Sequence, residues 1–97
     1  MRIIARRTLR EFWERHSDAE QTLRAWYYDV QTAVWESPAD IKRMYANASI
    51  LGQNRVVFNI KGNRYRLVAA INYPYKICYV RFVGTHEEYD RIDAEQV

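Results

Sequence analysis

After Asn54 the apolar residues stop recurring every three or four positions and begin to alternate, so the chain divides into a helical first half and a sheet-forming second half. Residues 55–60 (RVVFNI), 64–72 (RYRLVAAIN) and 77–83 (ICYVRFV) read as three strands. Gly62-Asn63 is a two-residue hairpin loop, because glycine adopts the positive φ that the first loop position needs. That loop pairs Lys61 with Arg64, Ile60 with Tyr65, Asn59 with Arg66 and Phe58 with Leu67, and the pairing decides which side chains share a face. One face carries Val56, Phe58, Ile60, Tyr65, Leu67, Ala69 and Ile71 and is the core face. The opposite face carries Arg55, Val57, Asn59, Lys61, Arg64, Arg66 and Val68. Taking Tyr73–Lys76 as a four-residue second loop pairs Leu67 with Phe82 and Val68 with Arg81. Cys78, Val80 and Phe82 then join the core, while Arg81 joins the polar face diagonal to Arg66, with Tyr79 beside it.

The first half supplies the layer that covers the core face. Residues 2–5 (RIIA) read as a short strand. Thr8-Leu9-Arg10-Glu11 has the form of a capping box and opens a helix carrying Leu9, Phe12, Trp13 and His16. Ser17-Asp18-Ala19-Glu20 has the same form, and the helix it opens repeats Leu23, Trp26, Tyr27, Val30 and Val34 at helical spacing. Ser37-Pro38 starts a third helix whose Ile41, Met44 and Tyr45 face inward. Thr85-His86-Glu87-Glu88 is a further capping box and starts a short C-terminal helix. The expected fold is α+β: a small antiparallel sheet, built from the short N-terminal strand and the three-stranded meander, with the helices packed on one face. Residues 1–97 are expected to form one domain. The opening residues, MRIIARRTLREFW, are charged too early for a secretory leader, and no run approaches the roughly 18 apolar residues of a membrane span. A cytoplasmic protein without a membrane partner is expected. Cys78 is the only cysteine, which excludes an internal disulfide framework and a zinc cluster, and it reads as a small buried strand residue.

Charge is segregated along the chain. Residues 1–40 carry six Arg against seven acids, residues 41–86 carry eight Lys and Arg and no acid, and residues 87–97 carry one Arg against five acids. A solvated face ordinarily mixes signs, so 46 consecutive residues without a carboxylate point to an anionic partner. The polar sheet face gathers Arg66, Arg81, Asn59, Tyr79, Lys61 and Arg64, and guanidinium groups grip phosphate bidentately. A merely solvated face is the alternative reading. His86 and Tyr89 lie three residues apart on one side of the C-terminal helix, close to the end of the strand that carries Arg81. A helix N-terminus disfavours a charged imidazole, which suits His86 to act as a base; an ordinary surface histidine is the alternative. No metal and no cofactor are expected.

With those residues in view, VVFNIKGNRYRLVAAINY followed by FVGTHEEYDRIDAE resembles the C-terminal signature of HigB-type toxins of the RelE-like superfamily. The preceding WESPADIKRMYANASILGQNR is similar to the family's central segment, so the resemblance spans nearly the whole chain. It implies the toxin of a type II toxin–antitoxin pair, an endoribonuclease that cuts mRNA in the ribosomal A site, arresting translation and growth. It also implies a helix-turn-helix antitoxin of the HigA type as partner, with operator DNA bound only through the toxin–antitoxin complex. Relatives use an arginine on each of the last two strands and a tyrosine in the C-terminal region, roles that fall here on Arg66, Arg81 and Tyr89. His86 or Tyr89 would move the protons. Asn59, Lys61, Asn63, Arg64 and Tyr79 would hold the RNA. Two other functions remain compatible with such a scaffold at this point: a ParE-like gyrase inhibitor, and a module that binds RNA without cutting it.

Overall fold

The alternating segments become the sheet, and the helical repeats become the layer that covers one of its faces. The computed structural model describes residues 1–97. In chain order it comprises β1 (Arg2–Ile4), α1 (Arg6–Arg15), a single 3-10 turn (Ser17–Ala19), α2 (Glu20–Thr32), α3 (Pro38–Met44), β2 (Ser49–Ile50), β3 (Arg55–Ile60), β4 (Tyr65–Asn72), β5 (Ile77–Thr85) and α4 (His86–Tyr89). The fold is α+β, as the sequence led us to expect. Its sheet has five strands in the order β1-β5-β4-β3-β2, one more than expected, because Ser49–Ile50 forms a two-residue edge strand against Val56 and Val57. The sheet is mixed, since β1 runs parallel to β5 with Ile3 opposite Cys78.

The hairpin has the expected register: Phe58 faces Leu67, Asn59 faces Arg66 and Ile60 faces Tyr65. Gly62 sits at φ +64°, and the Arg64 amide donates to the Lys61 carbonyl at 3.2 Å to close the turn. Every residue assigned to the core face of β3 and β4 is buried there with Leu9, Phe12, Trp13, Leu23, Trp26, Val30 and Ile41 from the helices. Phe58 is the hub of this core. Its ring meets Trp26 and Tyr45 edge-on, with centroids 5.4 and 5.3 Å away, and stacks on Trp35 at 6.1 Å. Such aromatic contacts add about 0.5–1.5 kcal/mol per pair to the apolar burial itself.

The last strand departs from the expected register. The four-residue loop is present, with Asn72 opposite Ile77, and Ala69 faces Val80. Beyond that pair the ladder skips a residue, so that Val68 faces Phe82 and Leu67 faces Val83. Arg81 is the unpaired extra residue of a β-bulge. Counting from a loop assumes an unbroken ladder, and the bulge breaks it. Cys78 and Val80 lie on the helical side as expected, but Phe82 lies on the opposite face and Val83 takes its place against the core.

That opposite face is not open along its middle. Val57 and Val68 are buried there beneath Ala94, with Leu51, Phe82, Tyr89, Ile92 and Val97 packed around them. Residues 90–97 thus cover a strip expected to be solvated.

Three helix boundaries also shift. Helix α1 starts at Arg6, so Thr8 lies inside it and caps nothing, while Glu11 pairs with Arg7. Asp18 leaves its helix end for another partner, described below, and α2 begins without a side-chain cap. Val34 follows the end of α2 and is 67% exposed, with Ala33 and Trp35 burying themselves in its place, and Met44 is 47% exposed. The capping box at Thr85 does form: the Glu88 amide donates to Thr85 Oγ1 at 3.1 Å, and the Thr85 amide donates to Glu88 Oε1 at 2.8 Å.

Two measurements check this core. Phe58→Ala should cost about 3–5 kcal/mol in urea unfolding, because the aromatic cluster cannot close over the cavity. Cys78 is fully buried, and burial pushes its thiol pKa up to about 12, so a thiol reagent at neutral pH should label it only at the rate at which the fold opens.

Candidate functional site

The residues singled out from the sequence gather in two places along the second sheet face, with Arg81 between them. At the hairpin end, Arg66 of β4 stands opposite Asn59 of β3 and Gly84 of β5. Arg66 as a residue is half-buried, and its guanidinium Nη1 donates to the carbonyls of Asn63 at 3.0 Å and Tyr65 at 3.3 Å. Those bonds aim the group toward α4, where its central carbon lies 6.0 Å from the centre of the Tyr89 ring. Phe82 also lies against Tyr89, with ring centroids 6.5 Å apart. Phe82 was not among the expected site residues, because only the bulge turns it to this face. Gly84 makes room for it: a Cβ there would lie 2.5 Å from the tip of the Phe82 ring. A glycine inside a strand is the signal that marks such a close approach.

His86 opens α4 at the same end. Its amide donates to the Arg64 carbonyl at 3.3 Å, which ties α4 to the hairpin, and its Nδ1 lies 3.2 Å from Asp90 Oδ2. The carboxylate orients the ring through Nδ1 and leaves Nε2 facing away from that pair. Helical spacing places Tyr89 on the same side of α4, so one short element carries both an imidazole and the phenol that lies beside Arg66. Asn59, Lys61 and Asn63 are exposed around this end, with Lys61 at φ +55°.

Arg81, projected by the bulge, is exposed, and its Nε donates to the Val97 main-chain oxygen at 3.3 Å. Arg55 holds the same oxygen through Nε at 3.1 Å and Nη2 at 2.6 Å. Tyr79 sits further off. It faces Ala70, four residues along β4 from Arg66, which is about 13 Å at strand spacing. There it lines a separate groove of about 480 Å³ with Arg55, Asn72 and Tyr73.

Arg64 has a partner that reading the basic segment alone could not supply. Asp18, 46 residues earlier, bonds the Arg64 guanidinium through Oδ2 and accepts from the Tyr65 hydroxyl through Oδ1 at 2.5 Å. The tyrosine hydrogen bond first, and the arginine second, hold the Asp18 carboxyl below its usual range. The same hydrogen bond pushes the Tyr65 phenol up. The 46-residue segment is free of acids in sequence but not in space, and its hairpin tip offers Lys61 rather than Arg64 as the unpaired cation. A group with a depressed folded-state pKa contributes stability above its unfolded value, about 3.9 for Asp, which is lost as pH falls through the lower folded value. Thermal melts should therefore show Asp18→Asn less stable than the parent at neutral pH, with the gap closing as the pH is lowered below about 4.

A family model described as "HigB_toxin, RelE-like toxic component of a toxin-antitoxin system" matches residues 19–92. Among curated proteins, the chain is similar to the mRNA interferase toxin HigB of Escherichia coli (strain K12), at 29% identity, with 97% of this chain and 92% of the relative covered. It is equally similar, at 29% identity and the same coverage, to the mRNA interferases HigB of Escherichia coli O157:H7 and Shigella flexneri.

Proposed function

The chain belongs to the HigB family of RelE-like toxins, and from that premise we propose that it is an endoribonuclease that cuts mRNA on the ribosome. The observation that carries this reading is the Arg66 guanidinium set beside the Tyr89 ring, in the helix that starts with His86. Cleavage of RNA at a 2′-hydroxyl needs no nucleophile from the protein. It needs a base for that hydroxyl, positive charge on the phosphorane, and an acid for the departing 5′-oxygen. In this scheme Arg66 stabilises the phosphorane, and its two main-chain hydrogen bonds hold it in place before the substrate arrives. His86, oriented by Asp90, and Tyr89, next to Arg66 and Phe82, move the two protons. Arg81 adds charge once its contact with the Val97 oxygen gives way to phosphate.

No step of this reaction calls for a metal, because the 2′-hydroxyl is the nucleophile and the guanidinium groups meet the developing charge. Lys61, Asn63 and Asn59 line the RNA path at the hairpin, Arg64 joins them only where phosphate displaces Asp18, and Tyr79 marks the path's continuation along the sheet. The ribosomal A site supplies the substrate, and a HigA-type helix-turn-helix antitoxin keeps the enzyme silent, linking it to operator DNA. No helix is long and apolar enough to cross a membrane, and translating ribosomes place the activity in the cytoplasm.

Incubating the protein with translating ribosomes and mapping new 5′ ends tests the proposal. The wild type should cut, while Arg66→Ala and Arg81→Ala should each lose about 10²–10³ in rate, the usual cost of removing one transition-state charge donor. Both variants should melt near the parent temperature, since neither side chain lies in the main core. An Arg66→Ala variant that cuts at the wild-type rate removes the site from the account.

A further inference from the structure

A groove of about 480 Å³ opens over the β3 edge of the hairpin, lined by Met44, Tyr45, Asn47, Asn59, Gly62 and Asn63 among others. That volume lies within the range of small-ligand clefts, about 300–1,000 Å³. Its floor is unusual main chain. Edge strand β2 pairs only with Val56 and Val57, so on the side away from β4 no strand lies beside Phe58–Ile60, and Phe58 and Asn59 line the groove. Its far wall is the turn after α3, which is braced from behind. Lys42 Nζ donates to the carbonyls of Ala46 at 2.6 Å and Ala48 at 2.8 Å, which fixes the segment that carries Asn47. Tyr45 is locked as well, its hydroxyl donating to Asp29 at 3.2 Å and its ring set against Phe58.

Two features join this groove to the proposed cleavage site. Asn59 is the cross-strand neighbour of Arg66 on the same face, and the Asn63 carbonyl accepts from Arg66 Nη1 at 3.0 Å. The same hairpin thus forms one wall of the groove and holds the arginine. All the lining residues fall within the acid-free segment, and three of them, Asn47, Asn59 and Asn63, are exposed carboxamides. A carboxamide carries a donor and an acceptor side by side, the pattern that reads a nucleobase edge. A peptide strand is the less suitable occupant, since a free edge of three residues is shorter than the usual strand of about 5–6.

We propose that this groove is a nucleobase subsite. It takes one unstacked base of a single-stranded RNA whose phosphate lies at Arg66, with Tyr45 as the aromatic wall and Asn47 and Asn63 reading the base edge. This rests on the endoribonuclease reading and deepens it by naming where sequence preference arises. The test has two arms, both on the full chain. In the first, 2′-O-methylated trinucleotides bearing each of the four bases, and an abasic counterpart, are titrated while the side-chain amide signals of Asn47 and Asn63 are followed by NMR. The base-bearing probes should shift both signals and the abasic probe should not; equal shifts from both, or none from either, overturn the subsite. In the second, Asn47→Ala should lower the ratio of cleavage at preferred over disfavoured sequences by about tenfold, within the discrimination typical of one bidentate contact, and Asn47→Asp should change which base is preferred. Unchanged ratios in both variants overturn the proposal. If the wild type cuts no RNA, the endoribonuclease reading fails, and the NMR arm still decides the groove.

Discussion

Leu67, Val68 and Ala69 follow one another along β4, and none of the three has any exposed surface. Successive strand residues point to opposite faces, so three in a row can be buried only if both faces of the sheet are covered. The helices supply one cover and residues 90–97 the other. Arg66 occupies the next position along the strand, where the second cover ends, and is only half-buried. Its guanidinium therefore stands at a boundary between packed apolar side chains and solvent. Charge interactions there are stronger than in open water, while the group remains accessible to an anion. The site lies at the limit of the second cover, as a consequence of which residues on β4 are apolar.

Electrostatics and packing reinforce each other at this end. Asp18 reaches from the turn between the first two helices to the hairpin and binds Tyr65 and Arg64 together. The contact fastens the helical layer to the hairpin tip and takes one arginine out of the basic field. What remains for an anion is a narrower set of cations than the sequence totals suggest. Exposed ion pairs contribute little to stability on their own; this one also positions a loop.

Much of the architecture was legible because it rests on period. Alternation placed β3 and β4 and their core face correctly, and the Gly62-Asn63 loop fixed the hairpin register. The capping box at Thr85 located α4, since its two hydrogen bonds depend on residues three apart and on nothing distant. What failed depended on contacts between remote segments. Asp18 prefers Tyr65 and Arg64 to a helix end, and the cover over Val57 and Val68 comes from the far end of the chain, around Ala94, which no local pattern announces. Of the candidate site, residue type and position singled out Arg66, Tyr89 and His86, and the structure sets Arg66 against the Tyr89 ring of the helix that starts with His86. Phe82 was missed because its face depends on a bulge that alternation cannot show. The resemblance to HigB toxins named the arginines on the last two strands, but it did not reveal that Arg81 stands outside the ladder.

That position bears on heredity. With Ala69 opposite Val80 and Val68 opposite Phe82, loss of the codon for residue 81 would leave a continuous ladder with the same partners on both sides of the gap. Strand β5 is thus one residue longer than its pairing requires, and the surplus residue is an arginine. Removing residue 81 would keep the pairs on either side while taking away a cation, the bend that the bulge puts into the strand, and the bond that Arg81 gives to the Val97 oxygen.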